Sequence, residues 1–170
     1  MNNVIPNLFR FFIFVVLQLL VFNNIKFLGY INPQIYIIFL LLLPLELKKW
    51  VQYIIAFLTG LLIDMFFQTF GIHALSSLII IFIRPYLVFF LNGFKPNDGV
   101  FKPLPGFKDF KWIAFYVGIM AFVHQFLITL IETFNMSDFF HIIWVTILNT
   151  FFTTILIVCI EYLFYSSKKK

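Results

Sequence analysis

Charge is what this chain has least of. Asp, Glu, Lys and Arg make up 11% of its 170 residues and hydrophobic residues 62%. Ordinary soluble domains hold about 25% and roughly 45–50%. A water-soluble fold has nowhere to hide that much apolar surface, so lipid is the expected solvent. The length fits one domain, and 1–170 reads as a single polytopic membrane unit. Cysteine is almost missing as well. Cys159 stands alone in an apolar run, which excludes an internal disulfide and reads as a small buried hydrophobe. No Cys and His set has metal-ligand spacing, no glycine loop cradles phosphate, and no nucleophile elbow is present, so no cofactor is expected. The net charge of +5 comes from loop and tail lysines beside apolar runs. Membrane orientation and anionic lipid account for them, and nucleic acid is not an expected partner.

What is present is a series of apolar runs. The expected spans cover about 6–22, 33–47, 50–67, 71–91, 112–133 and 139–165, an all-α architecture of six transmembrane helices with short loops. The first resembles a signal peptide, but Asn23, Asn24, Ile25 and Lys26 follow it without a small-residue cleavage site, so it reads as a retained anchor. The second is short: Pro33 suits a helix start and Pro44 interrupts its end. About 15 helical residues rise only ~22 Å, so this span must extend into its flanks or be sheltered by neighbours. Residues 92–111 carry three prolines, three glycines, four lysines and two aspartates, and form a polar loop. Phe94, Phe101, Phe107 and Phe110 alternate there with lysines, as suits either the headgroup level or plain loop packing.

Six spans put both termini on one side. With that side cytoplasmic, Lys48, Lys49, Lys95, Lys102, Lys108, Lys111 and the tail lysines Lys168, Lys169 and Lys170 are inside, and only Lys26 among the loop lysines lies outside. Trp50, Tyr53, Trp112, Tyr116, Tyr162 and Tyr165 would mark the inner interface, and Tyr30, Tyr36 and Trp144 the outer.

The polar residues within the spans are few. Asp64 and His73 flank the turn Gln68–Gly71 between the third and fourth spans, where an antiparallel hairpin brings them to similar depth. His73 can donate to Asp64, or Asp64 can accept from the free N–H groups that open the fourth helix. His124 on the fifth span is a further partner at that level. A ligand- or proton-linked site is one reading of such residues; a structural clamp is the plainer one and is preferred. Arg84, just before Pro85, is expected to snorkel to the inner headgroups, with Glu161 or a partner protein as the alternative. Thr146, Asn149, Thr150 and Thr153 share one face of the sixth span, as helix-packing contacts or, alternatively, a lined pocket. Gln18 and Gln125 add little on this reading.

The runs GLLID (Gly60–Asp64) and FGIHAL (Phe70–Leu75) resemble the MreD family of bacterial rod shape-determining membrane proteins. That family typically has G-x-x-x-D, a short gap and G-x-x-A-L opening the next helix. Phe70 stands where the family often has proline. The resemblance singles out Gly60, Asp64, Gly71, His73 and Ala74. It implies a multi-pass protein of the bacterial cytoplasmic (inner) membrane with a fold similar to the substrate-binding membrane subunits of vitamin transporters. It also implies a non-enzymatic scaffold in peptidoglycan elongation. The implied partners are an MreC-like bitopic protein, elongation glycosyltransferase and transpeptidase enzymes, and MreB filaments.

Two other functions compete. A solute-binding transporter subunit would use Asp64, His73, His124 and Asn149 as pocket groups, although the first span lacks the alanine-spaced face that such subunits use for docking. A membrane enzyme acting on lipid-linked substrates would draw on Glu132, Asp138 and His141, which are more simply solvated loop residues.

Overall fold

The computed structural model describes residues 4–20, 31–92, 108–133 and 139–167. Its elements are helices: α1 (Val4–Leu20), α2 (Ile37–Leu41), α3 (Lys49–Phe67), α4 (Ile72–Asn92), α5 (Phe110–Thr133) and α6 (Phe139–Ser167). No strand occurs among the described residues. Lys26, Tyr30, Lys95, Lys102, Asp138, Lys168, Lys169 and Lys170 lie outside them, as does most of the 92–111 loop.

Among the described residues four helices, α3 to α6, are long and apolar enough to cross a membrane. This is the pattern of an all-α membrane protein, but it falls short of the expected six spans. α1 is 17 residues long, a rise of about 25 Å against a hydrocarbon core of about 30 Å. The second expected span departs further. Within 33–47 only the 5 residues of α2 are helical. Pro33 does not open a helix. Pro44 cannot donate a backbone hydrogen bond and discourages helix at the residue before it.

α3 packs on α4, α4 on α5 and α5 on α6, while α2 is held between α1 and α4. The helices are inside-out relative to soluble ones. α3 buries Gln52, Ala56, Thr59, Gly60, Ile63 and Asp64, a small and polar stripe at helical spacing. It exposes Trp50, Ile54, Phe57, Leu58, Leu61 and Met65. In lipid there is no hydrophobic drive to bring helices together, so small residues and hydrogen bonds select the interior face. Cys159 follows the same logic: it is exposed on the outward face of α6, not buried as expected. Trp50 and Trp144 are exposed, whereas Tyr36 and Tyr116 are fully buried and do not belong to an aromatic belt.

Candidate functional site

At the end of the bundle opposite Lys48 and Lys49, the α3–α4 hairpin is pinned by Asp64. Its Oδ1 accepts from the backbone N–H of His73 at 3.0 Å and its Oδ2 from that of Ala74 at 2.9 Å. These are N–H groups of the first turn of α4, which have no partner within the helix. One carboxylate on α3 therefore caps α4 from outside. Oδ1 also accepts from Thr69 Oγ1 at 2.5 Å and from His73 Nδ1 at 3.0 Å. Both alternatives open in the sequence are realised together.

The backbone of the turn is built for the same purpose. Gln68 ends α3 in the left-handed region at φ 57°, and its N–H bonds to the Asp64 carbonyl. Gly71 sits at φ 82°, a value that costs a side-chain-bearing residue about 1 kcal/mol. Gly60 lies one helical turn before Asp64 on the same face. A Cβ there would come within 2.5 Å of the His73 carbonyl oxygen and 2.6 Å of the Ala74 nitrogen. That is backbone against backbone, with no side chain able to move aside. Gly60, Asp64, Gly71, His73 and Ala74 thus form one clamp.

The irregular segment 31–48 is the second device, and it crosses the bundle. Near its start, the Asn32 N–H donates to Asn149 Oδ1 (2.6 Å), the Gln34 N–H to Thr153 Oγ1 (3.2 Å) and the Ile35 N–H to Gln18 Oε1 (2.6 Å). Gln18 Nε2 donates to the Pro33 carbonyl at 3.2 Å, and Gln125 Nε2 reaches the Asn32 carbonyl at 3.5 Å and Thr153 Oγ1 at 3.4 Å. Midway, Tyr36 Oη lies 2.7 Å from His124 Nε2 and 3.3 Å from Ser77 Oγ. His124 therefore partners Tyr36, not Asp64.

At the far end Arg84 is fully buried. Its Nη2 donates to the Leu43 carbonyl and its Nε to Tyr116 Oη at 2.9 Å, and Tyr116 donates to the Leu41 carbonyl at 3.4 Å. The expected snorkelling is overturned: the guanidinium caps the carbonyl end of α2, where carbonyls lack helical partners. Glu161 is buried too, but makes no ion pair with Arg84. Gln52 then takes the Leu45 and Leu47 carbonyls at 3.3 and 2.8 Å. In hydrocarbon an unsatisfied backbone group costs several kcal/mol, so broken helix survives at membrane depth only where protein supplies partners.

Gln18 and Gln125, set aside in the sequence, prove central to this. Neither its position nor its neighbours along the chain marks either one; the only signal was an uncharged amide inside an apolar run. The α6 stripe divides. Asn149 and Thr153 hold the segment, Thr150 is half-buried, and Thr146 is buried with no partner for its hydroxyl among the described residues.

Between these two devices lies a cavity of about 530 Å³, walled by Asn32 and Gln34, the α3–α4 turn, the last turns of α5 and the first turns of α6. His73, Gln125, Thr129, Glu132, His141 and Asn149 contribute to it. It thus gathers His73 and Asn149, two of the proposed pocket groups, and leaves Asp64 and His124 behind the wall. Glu132 and His141 are exposed at its rim. No group of three His, Cys, Asp or Glu suited to a metal occurs among the described residues. No protein-family description, curated protein or solved structure matches this chain.

Proposed function

We propose that this protein is a membrane scaffold of the bacterial cell-wall elongation machinery, similar in role to MreD. The observation that carries the reading is how the family-like residues are used. Gly60, Asp64, Gly71, His73 and Ala74 are all consumed in fixing one helix pair. A motif whose every member builds the fold suits a protein that works by presenting rigid surfaces. On this reading the outward apolar faces of α3 and α6 meet lipid or the helices of an MreC-like bitopic partner. Lys48, Lys49, Lys108 and Lys111 would meet anionic headgroups in the cytoplasmic leaflet.

The chain would cross the inner membrane six times, with α1 and the sheltered segment 31–48 as the two crossings that lack a long helix. α1 runs antiparallel to that segment: Phe11 stacks edge-on to Phe39 with centroids 5.1 Å apart, while Gln18 meets Ile35. The start of α1 and the end of α6 then share the lysine-bearing end. A reporter fused after Lys170 is expected to be cytoplasmic. Depletion in a rod-shaped host is expected to round the cells, and an MreC-like protein is expected to co-purify. Unchanged cell shape and wall insertion would defeat the proposal.

The cavity favours a second reading, a solute-binding membrane subunit of a transporter. Its volume is that of a small-ligand site. A solute that co-purifies with the protein would move this reading to first place.

A further inference from the structure

We propose that Asp64, His73, Tyr36, Ser77 and His124 form a proton-binding file in the middle of the bundle, which holds one exchangeable proton on either His73 or His124. The inference goes beyond both readings above and depends on neither. Placement is the first observation. His124 lies nine residues before Thr133, the end of α5, so it sits ~14 Å below that helix end, close to the middle of a hydrocarbon core of about 30 Å. Ionisable residues at such depth are costly and mark ion or proton sites. These four are also isolated. α1 has no titratable residue from Phe11 to Leu20, α4 none between His73 and Arg84, and α6 none between His141 and Cys159. Asp64 is the only one that α3 adds after Tyr53, and Tyr36 the only one within 31–45. His124 feels the charge of His73, and Tyr36 that of Asp64. Arg84, the next charge along α4, is spent on Tyr116 and the Leu43 carbonyl.

The hydrogen-bond inventory is the second observation. The clamp uses Nδ1 of His73, which donates to Asp64 at 3.0 Å, and leaves Nε2 without a partner among the described residues. His124 is the converse: Nε2 lies 2.7 Å from Tyr36 Oη, and Nδ1 has no partner there. The Tyr36 ring neighbours both imidazoles, with centroids 6.3 Å from His73 and 5.4 Å from His124. Either ring can take a proton with no bond lost. On His73 the proton goes to Nε2, and the new charge faces the Asp64 carboxylate. On His124 it goes to Nε2, which then donates to Tyr36 Oη, while the Tyr36 hydrogen turns to Ser77 Oγ, 3.3 Å away. A proton, unlike a solute, needs no free volume at the nitrogen that takes it. Charge balance sets the limit at one. With both rings neutral the file carries the charge of Asp64; one imidazolium cancels it, and a second would restore a net charge deep in lipid. The file meets the cavity through Thr69, a half-buried lining residue whose hydroxyl bonds Asp64 and lies 3.2 Å from His73 Nδ1. Beyond His124, toward the lysine-bearing end, Met120, Ile80 and Ile81 are buried and apolar. A proton on His124 reverses the bond that holds the middle of segment 31–48, so the file acts as a switch on that segment.

The test uses the full-length protein in nanodiscs, with histidine labelled with the heavy nitrogen isotope and read by solid-state NMR from about pH 8 to about pH 5, where histidine ordinarily titrates. The chain has three histidines, and His141, exposed at the cavity rim, serves as the internal reference. His73 and His124 are expected to change together in one step worth one proton per chain, never with both rings charged. Tyr36→Phe keeps the ring and removes the hydroxyl; it is expected to abolish the response of His124 while that of His73 persists. Asp64→Asn is expected to abolish proton uptake by both. A parent protein in which His124 stays neutral throughout would overturn the proposal, and so would two rings charged at once; neither result needs a variant to fold. An unchanged His124 response in a folded Tyr36→Phe protein would overturn the link through the hydroxyl. Cell shape is read in no arm, so failure here leaves the scaffold reading standing.

Discussion

The α3–α4 hairpin and the segment 31–48 solve the same problem in opposite ways. Both must carry backbone through lipid without orphaned N–H and C=O groups. The hairpin uses two long helices that satisfy most of their own backbone groups, with Pro85 inside α4 withholding one donor, and where α4 begins it takes outside help from Asp64. The segment gives up its helix on both sides of α2 and borrows partners from α1, α3, α4, α5 and α6. The first arrangement makes a stiff post. The second makes a strut that exists only because the rest of the bundle surrounds it, and it is beside this strut that the polar cavity opens.

The sharpest way to break the hairpin is Gly60→Leu. Filling space in a packed core costs about 1–3 kcal/mol when side chains can adjust. Here the obstacle is the backbone of His73 and Ala74, so the loss is expected at or beyond the upper end of that range. It should appear as failure to accumulate in the membrane, or as a large drop in melting temperature in detergent. Gly60→Ala should be milder but still clearly destabilising. A Gly60→Leu protein as stable as the parent would show that α3 and α4 do not meet here.

Asp64→Ala comes next. It strips the acceptor from two backbone donors, from Thr69 and from the His73 ring at once. Each orphaned buried donor costs about 1–3 kcal/mol, although water entering from the cavity would lower the sum. Asp64→Asn keeps one carbonyl acceptor and is expected to fall between the parent and Asp64→Ala in thermal stability. If the two variants were equally damaging, the negative charge and not the capping geometry would be what matters.

The hairpin was readable in the sequence and the strut was not, and the reason is physical. Asp64 acts on residues nine and ten positions away, across a turn whose Gly71 announces itself. The four long helices follow from apolar runs of sufficient length for the same local reason. The partners of the strut are 17, 117 and 119 residues from the groups they satisfy. No local pattern encodes Gln18 meeting Ile35 or Asn149 meeting Asn32. What 33–47 did show was a deficit, a run too short and too proline-broken to span alone. Arg84 misled because arginine near a helix end usually reaches for headgroups; the Leu43 carbonyl and the Tyr116 hydroxyl that keep it inside lie 41 and 32 positions away in the chain.

Gln18→Leu tests the strut directly. It orphans the Ile35 N–H and the Pro33 carbonyl while keeping an apolar side chain of similar length. A loss of about 2 kcal/mol is expected in reversible unfolding, since interhelical hydrogen bonds in membranes average only ~0.6 kcal/mol but a stranded backbone donor costs more. Combining Gln18→Leu with Asp64→Asn should give additive losses, because the two variants share no partner. Strong coupling would mean that post and strut are one cooperative unit.

The smallest and most discriminating comparison lies within the α6 stripe. Thr153 accepts from the Gln34 N–H and from Gln125, so Thr153→Val leaves two donors short and is expected to cost about 1 kcal/mol. Thr146 is equally buried on the same face, seven residues earlier, but its hydroxyl has no partner among the described residues. Exchanging that hydroxyl for a methyl removes the cost of burying a polar atom for nothing. Thr146→Val is therefore expected to be neutral or slightly stabilising, within about 0.5 kcal/mol. Identical spacing and burial with opposite outcomes would show that the stripe serves to hold the strut and not to pack helix on helix. Equal losses at both threonines would return it to an ordinary packing seam.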